Sequence, residues 1–339
     1  MRHTRFGPLT LLAFLAVFCA VSTPRLAAAQ ETHVLVIGGL GGDEAYRQRF
    51  MEWGGSFVDA ATERLGVPRD HIVYLGEKPD TDPRITDRSS RDNVERAFVE
   101  IASRARQGDH VFVMLIGHGS YAAGESRFNL PGPDLTAEDF ALLLDQLSEQ
   151  DVSFANVSSA SGGFVSALSG PRRAIVTATK TGMERNESVF AGYFVGAFTG
   201  DGADLDKNGR VSMSEAFEYA TTEVAREYEA DGRIQTEHAL LDDNGDGEGS
   251  TDLEEGLDGT LARTLFLGAS PTAVAAMSTD DPVLRALYEE KATLEQRVEE
   301  LRAIKDQMEE DRYATALEDL LVALALKNRE IRGHEGGGQ

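Results

Sequence analysis

Six consecutive apolar residues, Val111-Phe112-Val113-Met114-Leu115-Ile116, constrain this chain more than any other segment. A strand that faces water on one side alternates apolar and polar residues. This run leaves no polar face, so it predicts a central parallel strand covered by helices on both sides. It ends at Gly117-His118-Gly119. Runs of strand character also occur at His33–Ile37, His71–Leu75, Val152–Val157 and Arg173–Thr179. Between them lie helix-like stretches: Tyr46–Leu65, a segment opened by Ser90 with Val94, Phe98 and Ile101 on one face, and a segment entered at Thr136. Thr136 carries an acid, Asp139, three positions later, the pattern of a helix N-terminus leading into Phe140–Leu147. Strand alternating with helix predicts an α/β fold, a mainly parallel sheet flanked by helices. Ligands of such sheets bind at the carboxyl ends of the strands.

Past Pro271 the composition turns to Glu, Leu, Arg, Lys and Ala. Leu287, Leu294, Leu301 and Met308 stand seven residues apart, which predicts a coiled-coil-like helix. A second helical stretch places Leu317, Leu320, Leu321, Leu324 and Ile331 on one face, with a turn in the charged run from Asp306 to Arg312. The expected tail is a helical hairpin over 280–333, docked on its own domain or on a second copy, with a disordered end at 334–339.

At the other end, Arg2 and Arg5 precede an apolar run from Leu9 to Val21 and then Ala27-Ala28-Ala29, the pattern of a secretory leader cleaved after Ala29. The expected location is secreted or periplasmic. Cys19, the one cysteine in the sequence, would leave with that leader, so the mature chain would use neither thiol chemistry nor disulfides. The 57 acidic residues against 33 Lys and Arg disfavour nucleic acid and anionic membranes and favour cations. No later run is apolar for long enough to insert in a bilayer.

Two predicted strand ends carry side chains with chemical potential: His118 sits between two glycines, and Ser159 sits in a turn of small residues, Ser158-Ser159-Ala160-Ser161-Gly162-Gly163. A histidine at a strand end can serve as general base. Its small neighbours let backbone N–H groups, here those of Gly119 and Ser159, face a developing oxyanion.

On these residues the chain resembles the caspase and legumain superfamily of cysteine peptidases. That family places a His-Gly pair after its third strand and its nucleophile after the fourth, in the motif Ala-Cys-x-Ser-Gly. Matching Ser161-Gly162 to the end of that motif sets Ser159 where the family carries cysteine and His118 where it carries the catalytic histidine. The resemblance spans roughly Thr32 to Ala269 of a domain at 30–270. It takes in Leu130-Pro131-Gly132-Pro133-Asp134-Leu135 and the Thr177-Ala178-Thr179-Lys180 strand end, near which the family forms its substrate pockets, with Glu184 and Arg185 as pocket candidates. A caspase-like fold is implied, with a peptide or protein as ligand. A cysteine thiol, with a pKa of about 8.5, is partly ionised at neutral pH, whereas serine needs a base oriented by a carboxylate. No such carboxylate is evident in the sequence, since Asp109 belongs at the far end of the strand. The reading favoured is a peptidase homologue whose proteolysis is lost. An active serine-type hydrolase using His118 and Ser159, and a calcium-dependent envelope assembly protein with a helical tail for self-association, are the alternatives.

The acidic region from Asp201 to Asp258 contains the segment from Asp204 to Glu215, which fits the twelve-residue EF-hand loop. Side-chain oxygens of Asp204, Asp206 and Asn208 take the first, third and fifth places, and the Arg210 carbonyl takes the seventh. Ser212 takes the ninth, often through water, and Glu215 closes the site, with Gly209 at the sharp turn. The expected ligand is Ca2+. A second stretch, Asp242-Asp243-Asn244-Gly245-Asp246-Gly247, begins the same way but has Leu253 where the closing acid belongs, and reads as a weak partial site or a plain acidic turn.

Overall fold

A computed structural model describes residues 30–253 and 257–336; the expected leader at 1–29 and residues 337–339 lie outside them. The strands of the main sheet are β1 (Thr32–Gly38), β2 (Ile72–Gly76), β3 (Asp87–Arg88), β4 (His110–Ile116), β8 (Asp151–Asn156), β9 (Arg173–Thr177) and β10 (Leu240–Asp242). Their order is β10-β9-β8-β4-β1-β2-β3, parallel throughout except for β10, which pairs antiparallel with β9. The fold is therefore α/β with a mixed sheet flanked by helices and a C-terminal helical region.

The apolar run forms β4, in register between β1 and β8 and wholly buried. Its residues divide alternately between two cores. Phe112, Met114 and Ile116 pack with α1 (Glu44–Asp59), α5 (Phe190–Thr199) and α6 (Met213–Ala230). Val111, Val113 and Leu115 pack with α2 (Arg91–Arg104), α3 (Ala137–Leu144) and α4 (Gly163–Leu168). Four of these helices start where an N-cap side chain accepts an orphan N–H. Asp43 caps α1 and Ser90 caps α2, while Thr136 with Asp139 and Ser212 with Glu215 form reciprocal capping boxes on α3 and α6.

The segment after His118 builds a small antiparallel sheet of β5 (Gly119–Ala122), β6 (Glu125–Phe128) and β7 (Leu135–Thr136). Its hairpin turns at Ala123 and Gly124, both in the left-handed region, without the Asn-Gly signature that marks such turns in a sequence.

The tail consists of α7 (Pro271–Ser278), α8 (Pro282–Ala303) and α9 (Glu310–Gly336). Leu294, Leu301 and Met308 of the heptad line meet Val298, Leu317, Leu320 and Leu324 in the seam between α8 and α9. Helix α9 runs three residues past 333, into the stretch expected to be disordered. Two contacts hold that last turn: His334 reaches Asp281 at 2.8 Å and Tyr288 donates to Glu335 at 2.6 Å. The hairpin docks on its own domain, with Arg302 on Asp206 at 3.1 Å and Gln307 on Thr260 at 3.4 Å.

Candidate functional site

β4 and β8 are neighbours, so the residues that follow them meet at the carboxyl edge of the sheet. The strand order reverses beside β4, since β1 leads outward to β2 and β3 while β4 leads to β8 and β9. Such reversal points open a crevice. Here it is lined by Phe50, Trp53, His118, Val157, Ser159 and Glu187, among others, around a space of about 10 Å3. This is room for about one water molecule, so a ligand would lie along the crevice and not deep within it.

His118 is half-buried, with Tyr46 and Phe50 of α1 edge-on to its ring at centroid distances of 4.5 and 5.0 Å. Burial lowers its pKa below the ordinary histidine range, against the Gly41 carbonyl and the Asp43 charge, which favour the protonated form. The imidazole is therefore neutral at pH 7, as a base must be. The nearest group that favours its protonated form is the Gly41 backbone carbonyl, which carries no full charge. Asp43 is exposed and caps α1, accepting from Tyr46 N–H at 3.0 Å, so its effect on the ring is screened by solvent. Asp109, as expected, stands at the far end of β4, bonded to Glu31 and Arg106 N–H.

Ser159 is 5 % exposed, and its hydroxyl oxygen accepts from Gly119 N–H at 3.4 Å. Gly119 N–H is thus committed to Ser159 and is not free for an oxyanion. Among the described residues no hydrogen bond joins His118 to Ser159. The turn around Ser159 is held on every side. Ser158 donates to Asn156 Oδ1 at 2.6 Å, Gly162 N–H donates to Thr179 Oγ1 at 3.0 Å, and Ala160, at φ +53°, donates its N–H to the Glu184 carbonyl at 2.8 Å.

Glu184 and Arg185 do not line this crevice. The Glu184 carboxylate is engaged by His238 Nδ1 at 2.8 Å and Lys180 N–H at 2.9 Å, and Arg185 donates to the Tyr121 carbonyl at 3.1 Å. Glu187 and Ser188 line it instead, with Glu187 accepting from Tyr46 OH at 2.9 Å and ion-paired with Arg49.

The loop between α5 and α6 gathers the predicted metal ligands, and ligand oxygens of Asp204, Asp206 and Glu215 all lie within 4.8 Å of one another. Asn208 accepts from Arg210 N–H at 2.8 Å and its amide reaches Asp206 at 3.2 Å, at the rim of the same cluster. The Ser212 hydroxyl is occupied as the N-cap of α6 and donates to Glu215 Oε2 at 2.8 Å, so it sits on the closing carboxylate and not opposite it. The Arg210 side chain turns away over the Phe266 ring, 4.0 Å from its centroid, where burial brings its pKa down to about 10.

No family model and no curated protein matches this chain. Among solved structures, the crystal structure of protein GSU0716 from Geobacter sulfurreducens is similar over 57% of this chain and 89% of its own, at 14% identity and a TM-score of 0.38. That degree of likeness assigns neither family nor function.

Two features of the crevice escaped the sequence. The aromatic wall of Tyr46, Phe50 and Trp53 reads as an ordinary helical core stripe. The Gly41 carbonyl has no side-chain signal, although Gly41 lies in a run of glycines after β1 where backbone approach is easy. A second cluster that could hold a metal, Glu31, His33 and His71, lies at the opposite edge of the sheet. His33 and His71 stack there at 4.6 Å, and His71 Nδ1 faces the Thr32 carbonyl at 3.2 Å. Among the described residues no helix is long and apolar enough to cross a membrane.

Proposed function

We propose that this chain is a secreted, degenerate homologue of the caspase and legumain peptidases, which binds a peptide or protein segment in its strand-end crevice without cleaving it. The observation that supports this reading is the pairing of Ser159 Oγ with Gly119 N–H, while among the described residues no carboxylate hydrogen-bonds His118 and the Asp43 charge that acts on it is solvent-exposed. A thiol can react beside such a histidine because it ionises near neutral pH. A hydroxyl lacks that advantage. β5 leaves His118 as the edge strand of the small sheet, and an extended peptide adding to that edge would run alongside the crevice.

The test is a fluorophosphonate probe on the mature protein beside His118→Ala and Ser159→Ala. Absence of labelling is expected. Labelling at Ser159 that disappears with His118→Ala would overturn the reading in favour of a serine hydrolase.

The α5–loop–α6 unit is the calcium-binding element of this account. Its carboxylates converge, and an exported protein meets calcium at concentrations that suit a lone loop. Self-association through the tail is a second reading, favoured by Leu321, Val322 and Leu326 of α9, each at least 45% exposed. Light scattering of the native chain and of Leu321→Glu would separate a dimer from a monomer.

A further inference from the structure

The loop starting at Asp242 repeats the backbone of the loop starting at Asp204. In both, the fourth and sixth residues are left-handed: Lys207 and Gly209 at φ +58° and +83°, Gly245 and Gly247 both at +80°. In both, the fifth N–H donates to the third side chain, Asn208 to Asp206 at 3.0 Å and Asp246 to Asn244 at 2.8 Å. The seventh N–H likewise donates to the fifth side chain, Arg210 to Asn208 and Glu248 to Asp246, each at 2.8 Å.

The parallel extends to the closing acid. Glu215 Oε1 accepts from the N–H of the second residue, Leu205, at 3.0 Å, and its Oε2 accepts from the N–H and hydroxyl of the ninth, Ser212, both at 2.8 Å. In the other loop Asp258 does the same. Its Oδ1 accepts from the second residue, Asp243, at 3.1 Å, and its Oδ2 accepts from the N–H and hydroxyl of the ninth, Ser250, at 3.1 and 2.6 Å. Leu253, at the twelfth position, is buried in the core. The carboxylate comes from further along the chain, on a turn that Asp243 holds by accepting from Gly259 and Ala262 N–H.

One atom in this loop is left without a partner. Asp242 is fully buried; its Oδ1 accepts from Gly245 N–H inside the loop at 3.2 Å, but its Oδ2 has no hydrogen bond. The Ser169 hydroxyl, which has no other partner, is the side-chain donor that stands beside this carboxylate. Asp246 and Asp258 both act on Asp242 as like charges. A buried carboxylate oxygen met by one hydroxyl at most, beside two more carboxylates, is an unfavourable arrangement that a hard divalent cation relieves.

We infer that residues 242–250 together with Asp258 form a second calcium site, with side-chain ligands Asp242, Asn244 and Asp246, the Glu248 carbonyl, and Asp258 in the role that Glu215 holds in the first loop. Asp242, Asp246 and Asp258 are less tightly gathered than Asp204, Asp206 and Glu215, so ion entry draws the loop inward and this site is the weaker of the two. Asp242 ends the edge strand β10, and Gly245 and Gly247 lie against Gly170 and Ser166 around the end of α4. An ion here fastens the edge of the sheet to the helix that begins just after the Ser159 turn.

The test is calorimetric titration of the chelator-stripped mature protein with Ca2+. Two ions per chain are expected. Asp246→Ala, whose side chain is exposed and outside the core, and Asp258→Asn should each lose the weaker ion, and Glu215→Gln should lose the stronger. The two sites separate cleanly: a single ion lost in Asp246→Ala and kept in Glu215→Gln upholds the second site and removes the first. Native stoichiometry retained in Asp246→Ala, or no binding beyond what Glu215→Gln removes, overturns the inference.

Discussion

The hydroxyl oxygen of Ser159 accepts the backbone N–H of Gly119 at 3.4 Å, across the junction between the ends of β4 and β8. The contact requires glycine. A methyl group at Gly119 would stand 2.1 Å from the Ser159 carbonyl oxygen, a backbone atom that cannot swing aside. Gly119→Ala should therefore destabilise the protein by roughly 1–3 kcal/mol, the usual range for overpacking, measured by urea unfolding. A loss below about 0.5 kcal/mol, the size of an ordinary surface change, would show that the two strand ends are not in contact.

Glu237 holds the segment that walls the crevice. It is 3 % exposed and accepts from the Ser188 hydroxyl at 2.7 Å, Val189 N–H at 3.0 Å and Phe190 N–H at 3.2 Å, at the start of α5. Removing it strands those donors away from water. Glu237→Ala should cost roughly 2–4 kcal/mol, and Glu237→Gln, which keeps an acceptor, clearly less. Equal losses in the two variants would contradict the capping role.

Stability should fall on acidification below neutrality. His110 is fully buried, with Nδ1 facing the Phe266 carbonyl at 3.1 Å and Nε2 facing the Ser153 hydroxyl at 2.8 Å. The carbonyl can only accept, so Nδ1 carries the proton and Ser153 donates to Nε2. Burial brings the folded pKa down to about 4. Above about pH 6.5 the ring is neutral in both states and contributes no pH dependence. Below that, the unfolded chain takes up a proton that the folded chain refuses, so stability is lost until about pH 4, for a total of about 3 kcal/mol. His33, lowered by burial and by His71, adds in the same direction. Urea unfolding at pH 7 and 5 should show the drop, and His110→Gln should reduce it; identical pH dependence in the variant would contradict this origin.

Asp206 of the Asp204–Glu215 loop is also held by the tail. One nitrogen of Arg302 bridges Asp206 at 3.1 Å and Glu299 at 3.2 Å. A cation entering the loop competes with that guanidinium, so Arg302→Ala should tighten calcium binding there. Exposed pairs contribute about 0.2–1 kcal/mol, which corresponds to between about 1.5- and fivefold in affinity. Glu215→Gln should remove the calcium-dependent rise in Tm that belongs to this loop. Unchanged affinity in Arg302→Ala would place the tail outside the cation's reach.

Much of this was legible in the sequence because its signals are local. A run with no polar face identified β4, and Thr136 with Asp139 marked a helix start. The neighbouring strands then carried His118 and Ser159 to one crevice. What escaped depends on atoms distant in the chain or without side chains. The Gly41 carbonyl is featureless in sequence, the β5–β7 sheet turns on an Ala-Gly pair, and Asp258 closes its loop five residues later than the spacing rule allows. A spacing rule counts residues, whereas a cation meets only the oxygens that the fold delivers.

The central question for this protein is whether the crevice binds a peptide without cutting it. Purified protein incubated with a diverse peptide library, recovered and analysed by mass spectrometry for both bound and free peptides, measures this directly. The predicted result is enrichment of intact peptides on the protein, diminished by Gly119→Ala, with no new termini in solution. New termini sharing one residue at the cut, absent with Ser159→Ala, would contradict it.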